Sequence, residues 1–216
     1  MQISQLSVVT DVPVPTLKYY LREGLLMPGT ALSATRADYD DSHVERVRLL
    51  RALINVGRLS LADAGRVIAT LDAGPGTDLA EILGTAHAAL PAPGADEEVS
   101  DTVRALMAEL GWCVDPATPA LHSLSKALRA ATDAGMPLSG EDLHRYAAAS
   151  LDIAAVDLDV TLAQPTLADM LRIVIVGTVL VDEVLSALRR LAEGHVAQAR
   201  LSPPSDEHCQ QEPRPR

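Results

Sequence analysis

The chain has 216 residues, a net charge of −11, no Phe and a single Trp, and 48% of its residues are hydrophobic. That length suits a small domain joined to a second one, and the apolar share is ample for a core. Ala and Leu dominate the apolar residues and alternating β-branched runs are scarce, which excludes a sheet-based core and predicts a mainly α chain.

Residues 3–9 have the pattern of a short amphipathic helix, and residues 10–13 form a turn. In the next stretch Pro15 has the fixed φ that suits a first helical turn, and Gly24 is placed to end the helix. Leu17, Leu21 and Leu25 fall on one face, while Thr16, Lys18, Tyr19, Tyr20 and Arg22 crowd the rest. Helix, four-residue turn and polar-faced helix make a helix-turn-helix. A short helix presenting Thr, Lys, Tyr and Arg has what is needed to dock in a major groove. From this helix alone, tyrosines that merely cover a core are an equal alternative.

The loop at 28–39 has the length of a small hairpin wing, the one β element expected. Asp40 and Asp41 cap the next helix, in which Val44, Val47, Leu50, Leu53 and Ile54 keep helical spacing up to Gly57. Ser60 caps a helix running to Leu71, and the run at 73–76 breaks it. A helix of about thirteen residues then spans 78–90, before a Pro/Gly boundary at 91–94. The expected division is a DNA-binding-type unit at 1–72, a short helix and linker at 73–95, an all-α domain at 96–200 and a disordered tail at 201–216.

In the second half, helices are predicted over 97–110, 119–133, from Ser139 onward, and 166–198. Leu143, Ala147, Leu151, Ala154, Leu158 and Leu162 form one helical seam. The last helix carries two seams of period 3.5, one through Leu167, Leu171, Val174, Val181, Leu185 and Leu188, the other through Met170, Ile173, Gly177, Leu180, Val184 and Leu191. One seam can pack on the helix's own domain, and the other stays exposed unless a partner covers it. The first seam is assigned here to a homodimer interface. Its apolar core is interrupted by Arg172 and ends at Asp182, well short of the roughly 20 residues of a membrane span, so a cytoplasmic protein without membrane partners is expected.

The charge is unevenly spread. Residues 1–72 hold eight Lys and Arg against eight Asp and Glu, so the whole excess of eleven negative charges lies beyond residue 72. Contact with phosphates needs local cations rather than a positive total, so the acidic half does not count against nucleic acid. Cys113 and Cys209 are far apart in sequence, which makes neither a disulfide framework nor a metal site, and Cys113 is expected to be buried and inert. His122 and His144 are expected on the surface, with no metal and no cofactor. Trp112 and Tyr146 are the candidates for lining an effector pocket, although a lone Trp more often fills a core. No phosphate loop, nucleophile elbow or Cys–His pair supports an enzyme.

An ordered set of residues resembles the MerR family of transcription regulators: Ile3 and Leu6; Thr16, Leu17, Lys18, Tyr19 and Tyr20; Glu23, Gly24, Leu25, Leu26 and Pro28; Arg36 and Tyr39; Val44, Arg46, Val47, Leu49 and Leu50; and Ser60-Leu61. The resemblance covers about residues 2–72. It implies a winged helix-turn-helix in which Thr16, Lys18, Tyr19 and Tyr20 touch double-stranded promoter DNA from the second helix, and Arg36 and Tyr39 from the wing; Arg22 joins the DNA contacts from its place on the same polar face. Lys18 stands where the family has arginine, Pro13 where a capping Ser or Thr is common, and the wing lacks the usual Gly-Tyr-Arg run. The implied activity is regulation of RNA polymerase at a promoter by a homodimer on a two-fold symmetric site. The all-α half at 96–200, with its dimerising last helix, resembles the ligand-binding half of TetR-type regulators in architecture only, which implies an effector-binding and dimerisation domain that responds to a small-molecule effector. A small-molecule sequestering protein with secondary DNA contact is the alternative.

Overall fold

A computed structural model of the chain describes residues 1–33, 36–75, 79–90 and 98–201. The Pro/Gly boundary at 91–94 and the tail from 202 onward fall outside these residues. The chain is mainly helical, with one two-stranded antiparallel sheet.

Helix α1 (Ile3–Thr10) and helix α2 (Val14–Arg22) are joined by a three-residue turn. Asp11 adopts the left-handed conformation (φ 52°) that closes α1, a conformation that Asp tolerates better than most residues. Pro15 lies in the first turn of α2, and Gly24 (φ 72°) ends it, with the Leu25 and Leu26 N–H groups donating to the Tyr20 carbonyl at 2.9 and 3.2 Å. Strands β1 (Thr30–Ser33) and β2 (Arg36–Asp38) pair in antiparallel register, Thr30 with Asp38 and Ala31 with Ala37, and a register shift follows Ala31.

Helix α3 (Asp41–Arg51) starts on Asp40, whose carboxylate accepts from the Ser42 and His43 N–H groups. It widens into a π turn at Ala52–Val56 and stops at Gly57. Helix α4 (Leu61–Ala73) is capped by the Ser60 hydroxyl, which accepts from the Asp63 N–H at 3.1 Å. Helix α5 (Leu79–Ala89) follows, then α6 (Asp101–Leu110), α7 (Pro119–Asp133), α8 (Gly140–Leu162) and the 35-residue α9 (Leu167–Leu201). Ser100 and Ser139 cap α6 and α8 in the same way as Ser60.

Packing does not follow the division at residue 96. The first half of α9 returns to the N-terminal elements, and Leu171, Val174, Ile175 and Val179 join one continuous core with Leu17, Leu50, Leu53, Val67, Ile82 and Ala86. Two local features admit α9 there. Ala86 and Ala89 on α5 are small enough for close helix approach. Gly57 leaves room for Val179, since a Cβ at residue 57 would collide with the Val179 side chain. A smaller cluster joins α6, α7 and α8 through buried Val103, Leu106, Leu143 and Ala147, with the Ser125 hydroxyl accepting from the Ser100 N–H at 3.0 Å. Cys113 is exposed, contrary to expectation. It follows Gly111, whose left-handed conformation ends α6, and lies in the loop that leads to α7.

Candidate nucleic-acid interface

The turn between α1 and α2 is held from behind by α3. Arg51 donates from Nη1 to the Thr10 carbonyl at 2.7 Å and lies 3.7 Å from the Asp11 carboxylate. The Ser7 hydroxyl donates to the Val12 carbonyl at 2.6 Å across the same turn. These bonds fix the angle at which α2 leaves the core.

Helix α2 divides sharply. Leu17 and Tyr20 are buried and Leu21 partly so, while Pro15, Lys18 and Arg22 are exposed and Thr16 and Tyr19 are half-buried. The Arg22 guanidinium lies over the Tyr19 ring at 4.9 Å and pairs with Glu23 at 3.2 Å. Such stacking holds a long cationic side chain along the helix surface. The outer face is therefore a row of Lys18, Tyr19 and Arg22, bordered at its end by the Glu23 carboxylate.

Two tyrosines assigned to DNA contact are core residues. Tyr20 falls 60° from Leu17 around the helix, within the buried stripe, and burial raises its phenol pKa while Arg51 opposes the shift. Tyr39 is buried at the base of the wing, its ring edge-on to His43 with centroids 5.1 Å apart. Its N–H donates to the Met1 carbonyl at 2.8 Å, which ties the wing to the start of α1. The i, i+4 leucine spacing understated the width of the buried stripe, since a short helix flanked on two sides buries i+3 as well. Arg36 is exposed on β2. Gly29 allows β1 to approach β2, because a Cβ there would meet the Asp38 carbonyl oxygen at 2.6 Å and the Tyr39 ring at 3.1 Å.

The electrostatics at the base of the wing come from a cap. The Ser42 hydroxyl and then His43 hold the Asp40 carboxyl well below the usual carboxylate range, with Ser42 Oγ at 2.5 Å and His43 Nδ1 at 2.7 Å. Asp40 thus stays ionised at the positive end of α3. Neither the Arg51 tie nor the Gly57 clearance was found in the sequence, because each depends on a residue more than forty positions away.

The geometry is that of a helix-turn-helix with a hairpin wing, and comparison with known proteins agrees. The family profile described as "MerR HTH family regulatory protein" matches residues 1–71. A solved structure described as "putative transcriptional regulator SCO5550 from Streptomyces coelicolor A3(2)" is 32% identical, with a TM-score of 0.64, and the match covers 95% of this chain and all of that one. The chain belongs to the MerR family. Curated proteins gave no match.

In this MerR-family chain the other assigned residues are scattered. Tyr146 is exposed on α8 and borders an open surface depression with Leu138, Asp142, Arg145 and Ala149. Trp112 is half-buried in the loop after α6 and is not among the residues bordering that depression. His144 is exposed and faces Glu109 at 3.4 Å, whereas His122 is half-buried. The assigned dimer seam splits: Leu171 and Val174 are spent inside the chain's own core, Val181 and Leu185 are half-buried, and Leu167 and Leu188 are exposed. Among the described residues no group of His, Cys, Asp and Glu could hold a metal, and no helix is long and apolar enough to cross a membrane.

Proposed function

We propose that this DNA-binding regulator works as a homodimer on a two-fold symmetric promoter site, with the exposed row Lys18, Tyr19 and Arg22 in the major groove and Arg36 on flanking phosphate. The observation that carries this reading is the divided surface of α2, whose cationic side faces solvent while its apolar side lies in the core and Arg51 of α3 fixes the turn that precedes it. Lys18 and Arg22 offer cations to phosphate and base edges, with Arg22 exchanging its exposed Glu23 partner for phosphate, and the acidic half of the chain repels the duplex, leaving one face able to dock. A hydroxyl contact at the groove edge falls to Thr16 in this reading, a residue half-buried at the start of α2. RNA polymerase would sense the result through the geometry of the bound promoter.

An effector response is the second part of the proposal. Its support is an open depression at Tyr146, bordered by Leu138, Asp142, Arg145 and Ala149, where an aromatic ring and a cation lie beside small residues. The depression's helix, α8, packs on α9, and α9 is built into the core that carries α2. A ligand pressing on α8 therefore has a packed route to the DNA-binding face.

The test is fluorescence anisotropy of the purified protein on its own upstream intergenic DNA, with salt varied. Specific binding that Lys18→Ala and Arg36→Ala each weaken, with a reduced salt slope, is the expected result. Tight binding of a small molecule with no DNA shift would favour the sequestering alternative instead.

A further inference from the structure

Helix α8 carries one apolar stripe with two fates. Where α6 packs on it, Leu143 and Ala147 are buried. The same stripe continues through Leu151, Ala154, Leu158 and Leu162, and there its leucines remain 41–53% exposed. The distal half of α9 repeats the pattern, with Val184, Leu188 and Leu191 on one face and 54–71% exposed. These six side chains present on the order of 600 Å² of accessible surface, most of the roughly 800 Å² that each partner gives to a standard interface. Isolated exposed leucines need no explanation, but two helical rows of them on one molecule do.

The charges beside the two rows are opposite. From 148 to 162, α8 has Asp152, Asp157 and Asp159 and no Lys or Arg. Asp152 and Asp159 are seven positions apart, so they line one edge of the leucine row. From 184 to 201, α9 has Arg189, Arg190 and Arg200 against the single acid Glu193. Arg189 bonds Glu193 at 2.9 Å and lies near Tyr146 of α8, and Arg190 bonds the Ser186 hydroxyl at 3.1 Å, contacts that an exposed side chain exchanges readily.

We propose that a second copy of this chain covers both rows reciprocally, each α8 stripe receiving the distal α9 stripe of the partner. The proposal rests on the homodimer reading above and replaces its single-helix seam with a bundle of four helices. One chain carries both complementary patches, and a two-fold axis lets each be used once, which closes the assembly. Apolar rows supply the driving force, and Asp152 and Asp159 facing the partner's arginines set the register.

The experiment is sedimentation equilibrium of the full chain over a range of concentrations, with circular dichroism to check each variant's helical content. Leu158→Glu should raise the dimer Kd by about 100-fold, and the pairs Asp152→Arg/Asp159→Arg and Arg189→Glu/Arg190→Glu by about 10-fold each. Combining the two pairs restores opposite charges across the contact and should bring the Kd back to within about threefold of wild type. Should Leu158→Glu fail to fold, the charge pairs decide alone. A wild-type dimer that none of the variants weakens, or that the fourfold variant fails to restore, overturns this interface and leaves the homodimer reading standing. A wild-type monomer at tens of micromolar overturns both, and the stripes then belong to a different protein partner.

Discussion

Gly57→Ala isolates the contact that joins the long last helix to the DNA-binding unit. Residue 57 follows the π turn with φ −73°, a conformation open to any residue, so the backbone gives no reason for glycine. The reason is space: an added Cβ would run into Val179 Cγ1 and stand 2.9 Å from the Leu53 carbonyl oxygen. Overpacking of this kind costs about 1–3 kcal/mol, and the lower chain entropy of alanine returns about 0.4–1 kcal/mol. A net loss of about 1–2 kcal/mol is expected, or about 2–8 °C in Tm for a chain of this size. Val179→Ala alone leaves a cavity and costs about 1–3 kcal/mol. In the double variant the new methyl group enters the space vacated by valine, so the two losses should fall short of additivity by about 1 kcal/mol. Recovery is partial, because the Leu53 carbonyl is backbone and stays where it is. Thermal and urea unfolding of the four proteins measures the cycle. A Gly57→Ala variant as stable as wild type, or strictly additive losses, would refute the docking of α9 against the π turn.

Four further outcomes are expected. Tyr20→Ala should destabilise by about 3–5 kcal/mol as a buried ring is removed, while Tyr20→Phe keeps DNA affinity; lost affinity in Tyr20→Phe with an unchanged Tm would return that hydroxyl to the interface. Lys18→Ala and Arg36→Ala should each lower the slope of log K against log salt by about one, measured by anisotropy, while leaving Tm unchanged. Asp182 has its pKa raised by burial and by the nearby Asp157 and Glu183, so ionising it opposes folding. Its unfavourable effect grows as pH rises from about 4 through the raised value, and Asp182→Asn should increase Tm at pH 7 but not at pH 3. Asp40 is the opposite case: its lowered pKa makes its contribution full above about pH 4 and lost only as pH falls toward the lowered value. Asp40→Ala should therefore reduce Tm at neutral pH, and the gap to wild type should narrow only well below pH 4. A gap already closed at pH 4 would rule out the Ser42 and His43 bonds as its cause.

Local chemistry determined much of this protein from the sequence alone. Ser60, Ser139, Asp40, Pro15 and Gly24 mark helix ends because capping and left-handed closure involve residues only a few positions apart. The ordered residues of the first third pointed to the family for the same reason, since a helix-turn-helix is built from neighbouring elements. Tertiary structure decided what each apolar stripe meets. Periodicity assigned the seam through Leu171 and Val174 to a partner chain, whereas the folded chain uses both residues on its own α5 and π turn. It likewise left Tyr19 and Tyr20 as equals, and only the common core of the first elements buries one and leaves the other half-exposed. The physical reason is common to both cases: a helical pattern states that a face prefers to leave water, and the identity of the surface that covers it depends on residues distant in sequence, such as Gly57 and Arg51.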